Sequence, residues 1–369
     1  MEVQNTLNTS TTWTYGYQLT KNKVSYTFDN NNDNDRDQPF ESVDSENTTQ
    51  AFFTEYSLSK DQKWNMNLGL RVNYFSVVKQ LYFEPRFFLS NQVTEVFQLK
   101  FSAEIKNQVI SQLIEFRNNG FGLQNEIWAL SNGDEIPVLN NYQLSAGFLI
   151  QKNGWNFDVD FYNRRINGLT LLTEDVADRV PQYLAGESTI NGIDFLLKKR
   201  FGNYRTWVSY TLSKTKFQYD ELNDSEKFDG EYDVPHSLVW SHTYGIKRFE
   251  FSLGWKIRSG TPYTKALGIE KTPRGNYRII YEEEVNINRL PVYKKVDFSA
   301  TYKFKFSEKG KAQGKFGLSL MNIFNTKNIL DRGYEIKQDG RGPLAERTLV
   351  ETDQISIGFT PNLVFRVDF

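Results

Sequence analysis

The sequence predicts an all-β chain, an antiparallel transmembrane β-barrel of about 14 strands with short turns at one end and long loops at the other. Three observations predict it. Apolar and polar residues alternate with period two along almost the whole chain, while apolar stripes of helical period are nearly missing. Several alternating runs reach the ~9–11 residues that a tilted strand needs to cross a bilayer, against ~5–6 for an ordinary globular strand. The connections between runs take turns between short and long.

The runs are explicit. Trp64, Met66, Leu68, Leu70, Val72 and Tyr74 alternate with Asn65, Asn67, Gly69, Arg71 and Asn73. Phe97, Leu99, Phe101 and Ala103 alternate with Gln98, Lys100, Ser102 and Glu104. The same pattern holds for Trp155–Phe161, Phe249–Arg258 and Val296–Phe306. Aromatics near strand ends, among them Trp155, Tyr162, Tyr204, Tyr210, Trp255 and Tyr302, suit an interfacial girdle.

Short polar turns are expected near 60–63, 92–95, 152–154, 201–204 and 245–248, with a somewhat longer one near 307–314. Long, polar, irregular stretches are expected near 29–47, 114–140, 171–188, 218–233, 260–290 and 327–353, and a tight connection near 77–79. Both chain ends then fall on the short-turn side. An even strand number, short periplasmic turns and long extracellular loops are the pattern of a bacterial outer-membrane barrel.

Composition agrees once read strand by strand. Aromatics make up 15% of the 369 residues, with 29 Phe and 20 Tyr. Mean hydropathy is nevertheless −0.57, and no window approaches the ~18 apolar residues of a membrane-spanning helix. A barrel strand shows lipid only its alternate residues, so it averages to a polar value. Cysteine is absent, which excludes disulfides, thiolate metal sites and a Cys nucleophile. The net charge of −1 gives no case for nucleic acid as a partner. The start at Met1-Glu2-Val3 shows no signal peptide, so a mature chain or a fragment is expected.

Chemistry-bearing motifs are few, and no enzyme is expected. The tract Asp29–Asp37 alternates acids and amides, but a calcium loop needs Gly sixth and Glu twelfth, where Asn34 and Phe40 stand. It reads as a solvated loop, as does Glu282-Glu283-Glu284. The two histidines, His236 and His242, would be ~20 Å apart on one strand and cannot share a metal ion. No metal and no cofactor is expected. There is no phosphate loop and no nucleophile elbow. Asp158, Asp160, Glu250, Lys256, Arg258, Asp297 and Lys303 are read as the lining of a wet lumen. Ligand contact belongs to the loops that a rigid barrel displays, and Arg117, Phe121 and Trp128 are its candidates.

Several segments carry a family resemblance. They are Gly192–Arg200 followed by Tyr204–Thr215, the Asp-x-Pro-His element within Phe228–Leu238, and Arg258–Tyr263. Arg289–Phe298, Leu318–Asn325, Ala51–Tyr56 and Glu84–Phe87 add to them. In order and spacing they resemble TonB-dependent receptors, in particular the Bacteroidetes-type outer-membrane transporters. The resemblance implies energised uptake of a scarce ligand, such as an iron chelate, a vitamin or an oligosaccharide. It implies as partners outer-membrane lipid, the TonB energy-coupling system and the barrel assembly machinery. Family members carry a plug domain ahead of a 22-stranded barrel, and no plug-like segment is visible here. Residues 1–369 are therefore expected to form one partial barrel domain. The chain ends Leu363-Val-Phe-Arg-Val-Asp-Phe369, and the resemblance implies that Phe369 is read as an assembly signal. Two other readings stay open: a passive pore and a soluble glycan-binding β protein.

Overall fold

The computed structural model describes residues 1–29, 39–61, 63–115, 126–174, 181–220, 222–272, 275, 277–306, 312–339 and 346–368. The first strands are β1 (Glu2–Asn8), β2 (Thr11–Asp29), β3 (Pro39–Lys60), β4 (Trp64–Phe75), β5 (Gln80–Gln92) and β6 (Phe97–Gln108). Then come β7 (Ile110–Glu115), β8 (Glu126–Leu130), β9 (Leu139–Lys152), β10 (Trp155–Glu174), β11 (Pro181–Phe201) and β12 (Tyr204–Tyr219). β13 (Phe228–Asp229), β14 (His236–Ile246) and β15 (Phe249–Arg258) precede four short strands, β16 (Pro262–Tyr263), β17 (Ala266–Lys271), β18 (Tyr277–Tyr281) and β19 (Asn288–Arg289). The chain closes with β20 (Tyr293–Lys305), β21 (Gln313–Met321), β22 (Ile329–Asp339), β23 (Glu346–Ile355) and β24 (Thr360–Asp368).

One sheet of 18 strands dominates. Fifteen of them pair in series as a meander: β1 to β6, β9 to β12, then β14, β15, β20, β21 and β24. The remaining three, β7, β8 and β13, are added at the long-loop end. The count is fifteen among the described residues, where about 14 was expected. The extra strand is β1, which the Thr9–Ser10 turn folds back on β2. Glu2 pairs with Gly16, partway up β2, so only the C-terminal end of the chain lies on the short-turn side.

Register explains why these residues make this wall. One row of cross-strand neighbours runs Leu99, Phe148, Val159, Phe195, Tyr210, Leu238, Ile257. The row one residue away runs Lys100, Gly147, Asp160, Asp194, Thr211, Ser237, Arg258. Period two thus sorts the sheet into one apolar and one polar face, and a slip of one residue would exchange them. The apolar face is open: Leu363 is 65% exposed, Phe52 62% and Phe83 59%. So extensive an apolar surface asks for a lipid neighbour rather than water. Trp155, Tyr204, Tyr210, Trp255 and Tyr302 belong to it. Tyr162 does not: it lies on the polar face with its ring over Gly192. Both histidines are on the apolar face, where Tyr210 and Tyr204 hydroxyls bond His236 and His242.

The short turns near 60–63, 92–95, 152–154, 201–204 and 245–248 fall where the sequence predicts, and most of the one near 307–314 lies outside the described residues. Asn153 and Gly154 have φ of 50° and 75° between paired Lys152 and Trp155, the two-residue hairpin for which Asn-Gly is favoured. The long stretches differ from expectation. Residues 39–47 continue β3, paired to β2 as far as Pro39 with Asp29. β10 and β11 stay paired to Glu174 with Pro181, beyond where β9 stops at Asn140. Further hairpins form from β17 with β18 and β22 with β23. These segments bury only scattered apolar side chains, in small local clusters, so backbone pairing forms the strand without a sustained alternation to announce it. Exposed pairs such as Lys21–Glu46 and Lys23–Asp44 decorate them, where water screens the attraction and leaves little net stabilisation.

The buried apolar core sits in this loop layer. One cluster joins Val24, Phe75, Val109, Leu130 and Val138. Others join Leu113, Ala129 and Ile136, and Leu171, Leu184, Tyr219, Phe228 and Val285. The last packs the β17–β18 hairpin through Ala266 and Ile279 against Tyr334 of β22.

Candidate functional site, the polar wall and its loop cap

The polar face is laced by charge pairs that run along one strand or reach across an intervening one. Lys100 on β6 donates to Asp158 at 2.6 Å and Asp160 at 2.9 Å on β10, reaching across β9. Gly147 makes that reach possible, since a Cβ there would lie 2.2 Å from an Asp160 carboxylate oxygen. Arg71 donates to Asn73 and Gln18. Arg205 pairs with Glu250, Lys295 with Asp297, and Thr211 donates to Asp194. The seven residues read as lumen lining, from Asp158 to Lys303, all lie on this face. Fixed donors and acceptors of both signs can hold a polar solute.

Above the wall, one ionic network ties the loops together. Asp233 is fully buried, and its carboxylate accepts from the Thr215 N–H at 2.6 Å, from Lys214 at 3.3 Å and from Arg289. Asp229 takes Lys214 at 2.6 Å and Arg289, with Lys216 2.7 Å from its other oxygen. Arg289 also donates to the Asp233 and Gly260 carbonyls. Loop 220–235 and loop 259–292 are thereby fastened to each other and to β12. Burial pushes the Asp229 carboxyl up, but hydrogen bonds from Lys214, Lys216 and Arg289 outweigh it and hold the group at about 2. A depressed carboxyl contributes stability above its unfolded value of 3.8 and loses it as pH falls toward 2. Hydrogen exchange of residues 226–236, corrected for intrinsic rate, should accelerate between pH 4 and pH 2 and stay flat from pH 5 to 7. Flat exchange down to pH 2 would remove Asp229 from the account.

The ligand-contact candidates fare differently. Trp128 lies on β8, opposite Gln112 of β7, and is 52% exposed on a hairpin whose other side is anchored by buried Leu113 and Ala129. It is therefore presented rather than packed. Arg117 and Phe121 lie outside the described residues, as do Phe369 and most of the Asp29–Asp37 tract. Nearby Asn132 is structural, accepting the N–H groups of Asp134 and Ile136. Glu283 and Glu284 are exposed, as expected, whereas Glu282 is half-buried and accepts from Asn288. Asp229, Asp233 and Arg289 lie within the family-like segments Phe228–Leu238 and Arg289–Phe298, and the sequence alone assigns them no role. Asp229 and Arg289 are 60 residues apart, a pairing that no local spacing could announce.

The family model described as TonB dependent receptor-like, beta-barrel matches residues 2–325. Similar solved structures include the FrpB iron transporter from Neisseria meningitidis, at 13% identity and TM-score 0.62, covering 99% of this chain and 53% of that one. The copper transporter OprC is similar at 13% identity and TM-score 0.64, covering 100% and 55%. The ferric yersiniabactin uptake receptor FyuA from Yersinia pestis is similar at 11% identity and TM-score 0.63, covering 100% and 53%. At such identities the likeness shows the fold, and the chain spans about half the length of these structures. No curated protein matches the sequence. With that match running from β1 past β21, and with the wall and loop arrangement described above, the chain belongs to the TonB dependent receptor-like β-barrel family.

Proposed function

We propose that this chain forms wall and loop cap of a bacterial outer-membrane receptor that takes up a scarce ligand by TonB-dependent, plug-gated transport. The observation that carries the reading is the two-faced sheet, apolar toward lipid and charge-laced toward a lumen, under loops fixed by the Asp233 network. The names of similar structures, an iron transporter, a copper transporter and a ferric yersiniabactin receptor, put metal ions and their chelates ahead of vitamins and oligosaccharides. Trp128, with Arg117 and Phe121 on the same loop, is proposed to meet the ligand. Phe369 is proposed to be read by the assembly machinery. Uptake of radiolabelled ferric chelates, cobalamin and maltooligosaccharides by cells carrying the gene tests the reading. One of them should accumulate, and a protonophore should abolish it. Uptake that ignores the protonophore, with steady conductance in planar bilayers, would instead mark a passive pore.

A further inference from the structure

The short-turn rim is strongly basic. Three consecutive connections in this half of the wall bear Lys152, Lys199, Arg200, Lys247 and Arg248. No Asp or Glu occurs at 150–155, 198–205 or 246–249. Two of these cations are on the lipid-facing side. Trp155 pairs with Lys152 on one flank and with Lys199 on the other, so the three side chains stand side by side. All belong to the apolar face, where Phe201 is their neighbour and is 53% exposed.

Lys199 is held in place. Its Nζ donates to the Asn153 carbonyl at 2.6 Å and lies 4.7 Å from the Trp155 ring centre and 4.6 Å from that of Phe201. The two rings meet edge to face at 6.2 Å. An ammonium carries three donors, and only one is used here. Neither Lys152 nor Lys199 forms an ion pair among the described residues. Glu95 stands on the adjoining turn, whose Val96 carbonyl accepts the Gln151 N–H, yet it pairs with neither. A fixed cation beside a Trp and a Phe at the edge of an apolar wall is where a bilayer places its headgroups.

We propose that Lys152, Trp155, Lys199 and Phe201 form a binding site for an anionic phospholipid of the leaflet facing the short turns. The phosphate sits between the two ammonium groups, and the acyl chains follow the apolar row above, Phe157 and Leu197. The site rests on the lipid-facing placement of this wall and is independent of any transported ligand. Failure of that placement shows separately, as tolerance of a charge at Leu253.

The chain, purified in detergent, is exchanged into mixed micelles with phosphatidylglycerol and phosphatidylcholine, and retained lipid is read by native mass spectrometry. Each lysine close to an anionic headgroup contributes about fivefold, so phosphatidylglycerol should be favoured roughly 30-fold. The Lys152→Gln/Lys199→Gln variant should lose the preference and Lys152→Arg/Lys199→Arg keep it. Lys303→Gln/Lys315→Gln, on the polar face, should also keep it. Equal retention of the two lipids, or an unchanged preference in the Gln variant, overturns the site. Complete displacement by millimolar inorganic phosphate overturns it too, since a free-phosphate site needs no acyl chains. If the Gln variant fails to fold, the unaltered protein decides: the preference should fall steeply by 0.5 M NaCl, and a salt-independent preference refutes the proposal.

Discussion

Leu253→Arg should destabilise the folded wall by about 2–4 kcal/mol, the range found for a basic residue facing the bilayer midplane of such barrels. Ser252→Arg, one residue away, should stay within ~0.5 kcal/mol. Leu253 stands in the apolar row between His242 and Phe298, in the middle of β15. A guanidinium there must enter hydrocarbon, far from either interface, with no carboxylate in its row. Ser252 stands between Thr243 and Ser299 on the polar face and loses only a 3.3 Å hydroxyl contact to Thr243. An arginine from that position reaches water. Urea unfolding in lipid, read by heat-modifiable gel migration, gives both values. Equal losses at the two positions would mean that β15 has no lipid-facing side.

The same pair of residues shows why the wall could be read from sequence. Membrane and lumen are opposite solvents, so every second residue is selected for one of them, and Leu253 and Ser252 record the choice. Where both faces meet water the signal vanishes. Residues 39–46 read as irregular loop although they pair with β2 throughout, because Glu46 and Asp44 answer to lysines across the strand and not to lipid. Tyr162 was misplaced for a related reason. Tyrosine suits an interface and a lumen equally, and only the register with Gly192 decides between them. The candidate contacts were legible only as composition. Trp128 proves to be presented outward, but the reason lies in Leu113 and Ala129, which hold the opposite side of its hairpin. The Asp233 network escaped for want of proximity, since its partners come from three separate stretches of chain.

That network carries the second large effect. Asp233→Ala should cost about 3 kcal/mol, the lower end of the range for removing one partner of a buried pair. The lower end applies because Arg289 and Lys214 keep side-chain exposures of 28% and 44%, so water recovers part of the loss. Three acceptances end together, from Arg289, Lys214 and the Thr215 N–H, and with them the packing around a side chain with no exposure at all. Asp229 retains Lys214, Lys216 and Arg289, but it is tied to β12 through β13, opposite Lys216, and cannot replace the anchor next to Pro235. The damage should therefore be local. Tryptic cleavage near Lys227 and Arg289 should speed up by roughly 100-fold, while heat-modifiable migration of the wall stays unchanged. Asp233→Asn should fall between the two, since the amide still accepts from the Thr215 N–H but no longer neutralises Arg289. If Asp233→Ala leaves cleavage at both sites unchanged, the loops are held by their apolar clusters and the ion network is incidental to the cap.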